Sequence, residues 1–200
     1  RAFNEDPSDG EVTSHLERLA HDSMRGRGSG SEDEEKAARY LRDHFLAYGL
    51  LEPPGGAIQP FQAYSRRLDS ILDSRNVLAA VEGAGDLAEE WVVVGAHYDH
   101  IGFRNLPDES QGPNNGADDN ASGVAALIEV ARLLSEAEAP KRRTIVFVAF
   151  TGEETGLLGS DYYVKNPVRS TDSTYAMVNF DMVGRLEENT LIAIGTGSAT

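Results

Sequence analysis

The chain has 200 residues, of which 40% are hydrophobic and 8% aromatic, and this is typical of one globular domain with a sizeable core. Its formal net charge of -15 argues against nucleic acid and anionic membranes as partners, because both bind basic surfaces. The absence of cysteine excludes disulfides, thiolate nucleophiles and thiolate metal sites. The sequence contains no run of about 18 apolar residues, so no membrane-spanning segment is predicted. Because residue 1 is Arg rather than Met, we expect upstream sequence to have been removed.

Two helices are predicted in the first 50 residues. Val12, Leu16 and Leu19 follow helical spacing and predict a short first helix. A second helix begins at a capping box formed by Ser31 and Glu34 and ends at Gly49. Its apolar face consists of Ala37, Tyr40, Leu41, Phe45 and Tyr48. The segment around Ile58 to Tyr64 contains Pro60 and therefore predicts an edge strand.

Three later segments are almost continuously apolar and rich in β-branched residues, which is typical of strands buried on both faces. They are WVVVGA (91–96), TIVFVAF (144–150) and YAMVNF (175–180). One helix, from about 122 to 137, separates the first two, and another, around 156 to 164, separates the last two. This alternation predicts a doubly wound α/β sheet. The polar segment 101–115 is predicted to be the longest irregular loop, a kind of segment that often has a function.

Acidic and imidazole side chains follow each of these strands. His97, Asp99 and His100 follow the first strand, Glu153 and Glu154 the second, and Asp181 the third; Asp118 and Asp119 lie in GADDNASG, at the start of the intervening helix. Taken singly, such residues are also typical of surface pairs, helix starts and turns. Because ligands bind beyond the carboxyl ends of parallel strands, we expect these groups to converge, and their mutual repulsion predicts a bound cation. Imidazole with carboxylate favours zinc, cobalt or manganese over calcium.

Four motifs in this order resemble one family. GAHYDH, GADDNASG, TGEETGLLGS and NFDMVG are similar to the co-catalytic di-zinc aminopeptidases, metallopeptidase family twenty-eight, whose relatives include glutamate carboxypeptidase and glutaminyl cyclase. The resemblance implies a three-layer α/β fold of the phosphorylase/hydrolase type, with a mixed sheet and helices on both faces. It also implies two zinc ions, a peptide substrate with a free amino terminus, and a secreted or periplasmic location.

The resemblance assigns a role to each matching residue. His97 and Asp181 would bind one zinc ion, Glu154 the other, and Asp119 would bridge both. Glu153 would be the general base that takes a proton from a water activated by the two ions and passes it to the leaving amine. The family pattern also places a cis peptide between Asp119 and Asn120. We expect Asp99, two residues after His97, to hold the second ring N–H of that histidine rather than a metal.

Spacing alone leaves several assignments open. Asp118 is an alternative to Asp119, and spacing does not distinguish the role of Glu153 from that of Glu154. His100 is compatible with a contact to the metals, a contact to substrate or a local hydrogen bond.

The family pattern also requires a histidine downstream of NFDMVG, to complete the zinc site of Glu154. The histidines of this chain all precede that motif; they are His15, His21, His44, His97 and His100. We therefore expect residues 1–200 to be a single zinc-peptidase catalytic domain without its carboxyl-terminal part, in which the site of His97, Asp119 and Asp181 binds zinc and the Glu154 side is incomplete. The alternatives are a glutaminyl-cyclase-like transferase, a carboxypeptidase for acidic dipeptides, and a binding protein that has lost the chemistry.

Overall fold

The computed structural model describes residues 9–105, 111–139, 141–185, 190 and 192–195. The helices are α1 (Asp9–Leu19), α2 (Glu32–Ala47), α3 (Gly123–Glu136) and α4 (Leu158–Lys165). The strands are β1 (Ile58–Ser65), β2 (Ser70–Val81), β3 (Trp91–His97), β4 (Phe103–Asn105), β5 (Gln111–Pro113), β6 (Thr144–Phe150) and β7 (Thr174–Phe180). The predicted helices and the strands of the three apolar segments are all present.

Five of the strands form one mixed sheet in the order β1-β2-β6-β3-β7. Strand β3 pairs in parallel with β6 and β7, whereas β2 is antiparallel to both β1 and β6. The segment with Pro60 is β1 and lies at the edge of the sheet, as predicted. Because β6, β3 and β7 are parallel neighbours, their carboxyl ends meet at the same end of the sheet.

Helices cover both faces of this sheet, which confirms the three-layer α/β fold. On one face, Phe45 of α2 and Leu127 of α3 pack in a core that includes Phe147 of β6. On the other face, Val148 of β6 packs in a second core with Tyr163 of α4. Phe147 and Val148 enter different cores because successive side chains of a strand point to opposite faces. Within the described ranges, no helix has both the length and the apolar content needed to cross a membrane.

Strand β7 differs from the prediction that residues 175–180 are buried on both faces. Tyr175 is 62% exposed, Met177 52% and Val178 49%. This exposure follows from the position of β7 at one edge of the five-stranded sheet. Helix α4 packs near the opposite edge, over β1 and β2. Apolar composition predicts that a strand has a tendency to be buried, but it does not predict which strand takes the edge.

The segment 101–115 also differs from the prediction of an irregular loop. Its ends pair as a two-stranded antiparallel ribbon, in which Phe103 lies opposite Pro113 and Asn105 opposite Gln111. The guanidinium of Arg25 lies 4.3 Å from the ring centroid of Phe103, a cation–π contact that joins the ribbon to the preceding loop. Residues 106–110 lie outside the described part of the chain.

The predicted capping box of α2 forms only in part. The Ser31 hydroxyl accepts a hydrogen bond from the backbone N–H of Glu34 at 3.1 Å, as predicted. The Glu34 carboxylate instead turns into the protein, where Oε2 accepts hydrogen bonds from Gly30 N at 2.5 Å and from the Ser74 hydroxyl at 2.7 Å. Its Oε1 accepts a hydrogen bond from the Tyr98 hydroxyl at 2.8 Å. A glutamate that resembles a helix cap in the sequence therefore connects α2 to the sheet beneath the segment that follows β3.

Candidate metal centre

The acidic and imidazole side chains lie at the carboxyl ends of the three parallel strands. His97 is the last residue of β3, Glu153 and Glu154 follow β6, and Asp181 follows β7. Asp119 belongs to the turn Ala117–Ser122, which leads directly into α3. The fold thus brings together residues from His97 to Asp181, which are 84 positions apart in the sequence.

One group of potential metal ligands consists of His97, Asp119 and Asp181, with one atom of each within 4.8 Å of the others. His97 Nε2 lies 3.2 Å from Asp119 Oδ1 and 3.5 Å from Asp181 Oδ1. The imidazole is buried, whereas both carboxylates are partly exposed to solvent. A buried nitrogen facing two accessible carboxylate oxygens is a donor set that suits a zinc ion open to substrate.

A second group consists of His100, Asp119 and Glu154, again with one atom of each within 4.8 Å of the others. His100 Nδ1 lies 2.6 Å from Glu154 Oε1 and 4.0 Å from Asp119 Oδ1. Asp119 therefore takes part in both groups, through the same oxygen. Of the two glutamates, Glu154 lies in this group and Glu153 lies beside it.

Asp99 is fully buried and connects the loops that carry the site. Its carboxylate accepts hydrogen bonds from the Ser29 hydroxyl at 2.7 Å, from Glu153 N at 3.2 Å and from Glu154 N at 3.4 Å. The Nδ1 atom of His97 lies 3.2 Å from the backbone oxygen of Asp99 and 3.7 Å from its carboxylate. The expected contact with His97 is therefore made more closely by the backbone of Asp99, while its carboxylate holds the glutamate loop.

The electrostatics of the site favour a positive charge at His97. Burial by itself lowers the pKa of His97, but the carboxylates of Asp99, Asp181 and Glu153 outweigh burial and raise this pKa to about 9. A histidine pKa is raised in this way when anionic groups surround it without enough cations. The same negative potential would favour a metal ion at this position.

Glu153 combines a raised pKa with a position on the wall of a cleft. Burial raises its pKa above the ordinary value, His97 lowers it, and the carboxylates of Asp99, Glu154 and Asp181 raise it further. Its side chain lines a cleft of about 210 Å³ together with His97 and the apolar residues Phe150, Leu157 and Met177. A carboxylate whose pKa is raised is a better proton acceptor than an ordinary carboxylate, and its position at the wall of a cleft leaves it accessible.

The two neighbours of Asp119 point away from the ligand groups. Asp118 Oδ1 accepts a hydrogen bond from Gly184 N at 3.0 Å, and its Oδ2 lies 2.8 Å from Arg185 Nε. The peptide between Asp119 and Asn120 is cis, as the family pattern predicts. The adjacent aspartates therefore have different surroundings, although their spacing in the sequence does not distinguish them.

Asn120 is completely buried and makes four hydrogen bonds. Its Nδ2 donates to the backbone oxygens of His97 at 3.2 Å and Phe180 at 3.0 Å. Its Oδ1 accepts from Gly123 N at 3.0 Å and Met182 N at 3.1 Å. The side chain thus caps the first turn of α3 and also ties the ends of β3 and β7 to it.

Arg27 is a site residue that the sequence does not reveal. It is 1% exposed, and its guanidinium donates to the backbone oxygens of Leu19 at 2.5 Å, Tyr98 at 2.8 Å, Asn115 at 2.8 Å and Gly116 at 3.0 Å. Burial lowers its pKa to about 10, and Asp99 and Asp119 act in the opposite direction. The segment RGRGSGS has the composition of an ordinary flexible loop, so no pattern within it predicts that one arginine is buried.

Comparison with known proteins gives a consistent set of relatives. A probable zinc metalloprotease of Pyrenophora teres f. teres is 41% identical over 159 residues, which are 79% of this chain and 33% of that protein. A probable leucine aminopeptidase of Trichophyton verrucosum is 36% identical over 113 residues, which are 54% of this chain and 28% of that protein. The chain spans about a third of the length of these curated relatives.

Solved structures share the fold. Glutaminyl cyclase from Porphyromonas gingivalis superposes with a TM-score of 0.71 at 24% identity, covering 88% of this chain and 62% of that chain. A leucine aminopeptidase precursor from Bacteroides thetaiotaomicron gives 0.69 at 20% identity, with 88% and 62% covered. The sequence profile of Peptidase family M28 matches residues 76–200, which is more than half of the chain and includes all four motifs. This chain therefore belongs to Peptidase family M28, the family that its motifs predict.

Proposed function

We propose that this protein is a zinc-dependent aminopeptidase, which hydrolyses the first peptide bond of a peptide with a free amino terminus. The observation that carries the proposal is the position of Asp119, whose Oδ1 faces His97 at 3.2 Å and His100 at 4.0 Å, with Glu153 on the wall of the adjoining cleft. Relatives named zinc metalloprotease and leucine aminopeptidase support it. We further propose that residues 1–200 belong to one catalytic domain.

The residues of the site fit zinc. We propose that His97, Asp119 and Asp181 hold one ion, and that Asp119 and Glu154 hold a second. Imidazole and carboxylate ligands without thiolate are typical of catalytic zinc sites, and the raised pKa of His97 reflects carboxylates that favour a nearby positive charge. When bound, zinc lowers the pKa of water and polarises a carbonyl group.

The protein side chains divide the remaining work. Glu153 takes a proton from the attacking water and delivers it to the amine of the leaving peptide, a role that its raised pKa supports. Asp99 fixes the loop of Glu153 and Glu154 by accepting hydrogen bonds from both backbone N–H groups. Asn120 fixes His97 from the other side through the backbone oxygen of that histidine. Reacting groups held in this way need little reorganisation during the reaction.

A glutaminyl-cyclase-like transferase is the second candidate, because solved cyclases share this fold. The two ligand groups of this chain share Asp119 and suit a pair of ions, and relatives named zinc metalloprotease and leucine aminopeptidase favour the peptidase. A binding protein of the same fold is the non-enzymatic alternative, and it would not need a carboxylate with a raised pKa at the cleft.

One experiment separates these possibilities. The purified protein is incubated with Leu-initiated peptides that are either free or acetylated at the amino terminus, and with a Gln-initiated peptide, each with and without chelator. An aminopeptidase releases free leucine only from the free peptide, and chelator abolishes this release. Cyclisation of the Gln peptide without release of an amino acid would support the transferase instead. Cleavage that continues in chelator, or that ignores the acetyl group, would refute the proposal.

The location of the protein is a separate part of the proposal. Secretion or export to the periplasm rests on the resemblance to the family alone. Fractionation of cells with an antibody to this chain tests it, and recovery of the protein solely with cytoplasmic markers would contradict it.

A further inference from the structure

We propose that His100 is a direct metal ligand, and that its Nδ1 binds the ion held by Asp119 and Glu154. The inference rests on the metal site of the proposed function but not on the peptidase reaction. Within this chain, the family resemblance assigns two ligands to this second ion, and both are carboxylates, those of Asp119 and Glu154. His100 adds a nitrogen ligand from a segment only three residues beyond His97.

The contact between His100 and Glu154 differs from a hydrogen bond. His100 Nδ1 and Glu154 Oε1 are 2.6 Å apart. Both atoms are nevertheless buried without a hydrogen bond of acceptable geometry to any described residue, so the close approach lacks the alignment of an N–H group pointing at an oxygen. Buried polar atoms are rarely left in this state. A metal ion bound to both atoms accounts for the arrangement.

The surrounding residues hold the His100 ring in this position. Its backbone N–H donates to the backbone oxygen of Arg27 at 3.1 Å, and the residue is only 7% exposed. The ring lies against Gly116, where a Cβ atom would approach the His100 Cδ2 to 2.5 Å. Any other residue at position 116 would therefore collide with both the imidazole and the backbone oxygen of Asp119. The ring is thus fixed before any ligand binds, which is the arrangement that metal sites require.

Glu154 is oriented towards the same point. Its Oε2 lies 3.4 Å from Nη1 of Arg67, whose guanidinium also donates to the backbone oxygen of Glu154. Arg67 therefore pairs with Oε2 of Glu154, and the other carboxylate oxygen, Oε1, faces His100. With Asp119 Oδ1 at 4.0 Å from His100 Nδ1, the three donor atoms converge.

The two ligand groups then have the same composition. Each offers one buried imidazole nitrogen and two carboxylate oxygens, and Asp119 is common to both. The ring nitrogens used are Nε2 of His97 and Nδ1 of His100. This leaves an N–H on the opposite nitrogen of each ring when a metal is bound, and that N–H provides a specific probe.

The experiment uses the protein labelled with nitrogen-15 at histidine and loaded with Co²⁺, whose unpaired electrons strongly shift the N–H signal of any ligating imidazole. We expect shifted ring N–H signals from both His97 and His100. The His100→Gln variant should lose one of them and should bind its second equivalent of Co²⁺ more than about 100-fold more weakly, since loss of an indirect partner costs about 10- to 100-fold. His21→Gln, which alters an exposed histidine outside the site, should leave the spectrum unchanged.

A second variant tests the inference even if the His100→Gln protein does not fold. Glu154→Gln keeps the His100 ring but removes a ligand, and it should also abolish the shifted signal of His100 while that of His97 persists. The inference is wrong if wild type and His100→Gln give the same shifted signals, or if the wild-type protein binds two cobalt ions with only the His97 signal shifted. Failure of the wild-type protein to bind cobalt at all would instead overturn the metal site itself, and with it the proposed function.

Discussion

Replacement of Arg27 by methionine is expected to destabilise the protein and weaken its metal site together. Methionine approximates the length of the side chain but removes every donor. The bonds to the backbone oxygens of Leu19 and Tyr98 are buried, whereas those to Asn115 and Gly116 are partly open to water. An acceptor left unpaired in a buried position costs about 1–3 kcal/mol, whereas the partly open acceptors can bind water.

Two buried acceptors therefore give an expected loss of about 2–6 kcal/mol in the free energy of unfolding, reduced somewhat because the cation no longer has to be buried. This is a large share of the stability of about 5–15 kcal/mol that is usual for a domain. Arg27→Lys keeps the charge but lacks the planar fork, so it should fall between methionine and wild type. Loss of the cation near Asp119 favours zinc electrostatically, whereas loss of the hydrogen bond to the backbone of Tyr98 releases the segment next to His97. We expect the second effect to dominate, so zinc affinity should fall as well.

Urea unfolding followed by fluorescence measures this loss, and the single tryptophan, Trp91, is a suitable probe because it lies in β3 and is 7% exposed. Arg39→Met is the matched control, since Arg39 is exposed on α2 and pairs with Glu35 at the surface; its midpoint should equal that of the wild type. An Arg27→Met protein destabilised by less than about 1 kcal/mol would refute the reasoning, because it would mean that the carbonyl groups do not need their donor.

Three further substitutions have distinct expected results. Glu153→Gln should lower kcat for peptide hydrolysis by about 10²- to 10⁴-fold while metal analysis shows an unchanged zinc content; normal turnover would remove Glu153 as the base. Asp119→Asn should weaken zinc binding in calorimetry far more than Asp118→Asn, and equal effects would contradict the assignment. Burial and then His44 lower the pKa of His15 in the folded protein below 6.5. The contribution of His15 to the free energy of unfolding is therefore fully present above pH 6.5 and declines as the pH falls through that value. His15→Gln should reduce this decline in urea unfolding at different pH values, and an unchanged decline would exclude His15 as its source.

The sheet was predictable from the sequence where burial is complete on both sides. The segments 91–96 and 144–150 are apolar at nearly every position, and they form the adjacent strands β3 and β6. The mixed character of the sheet comes from β2, whose first residues are mostly exposed and whose last residues are buried. Such a strand has no uniform period, so its pattern does not reveal that it lies between β1 and β6.

The location of the site was predictable for a related reason. Parallel strands bring their carboxyl ends together whatever the loops do, so the side chains after β3, β6 and β7 had to be neighbours. The contribution of Arg27 and the orientation of His100 depend on how irregular segments fold over these strand ends. Arg25 and Arg27 have left-handed φ angles of 45° and 47°, a conformation that neither residue type predicts.

The motif GADDNASG shows why neighbouring polar residues need not share a function. Asp118 binds Gly184 and Arg185, Asp119 faces the histidines, and Asn120 joins β3, β7 and α3. The carboxylate proposed to bridge two metal ions is therefore covalently attached to the residue that fixes the junction of the parallel strands. An ion that binds this carboxylate in the folded protein but not in the unfolded chain adds its binding free energy to that junction. Metal binding at Asp119 would therefore be coupled to the integrity of the sheet end through the neighbouring Asn120, whose amide is as deeply buried as the apolar core residues.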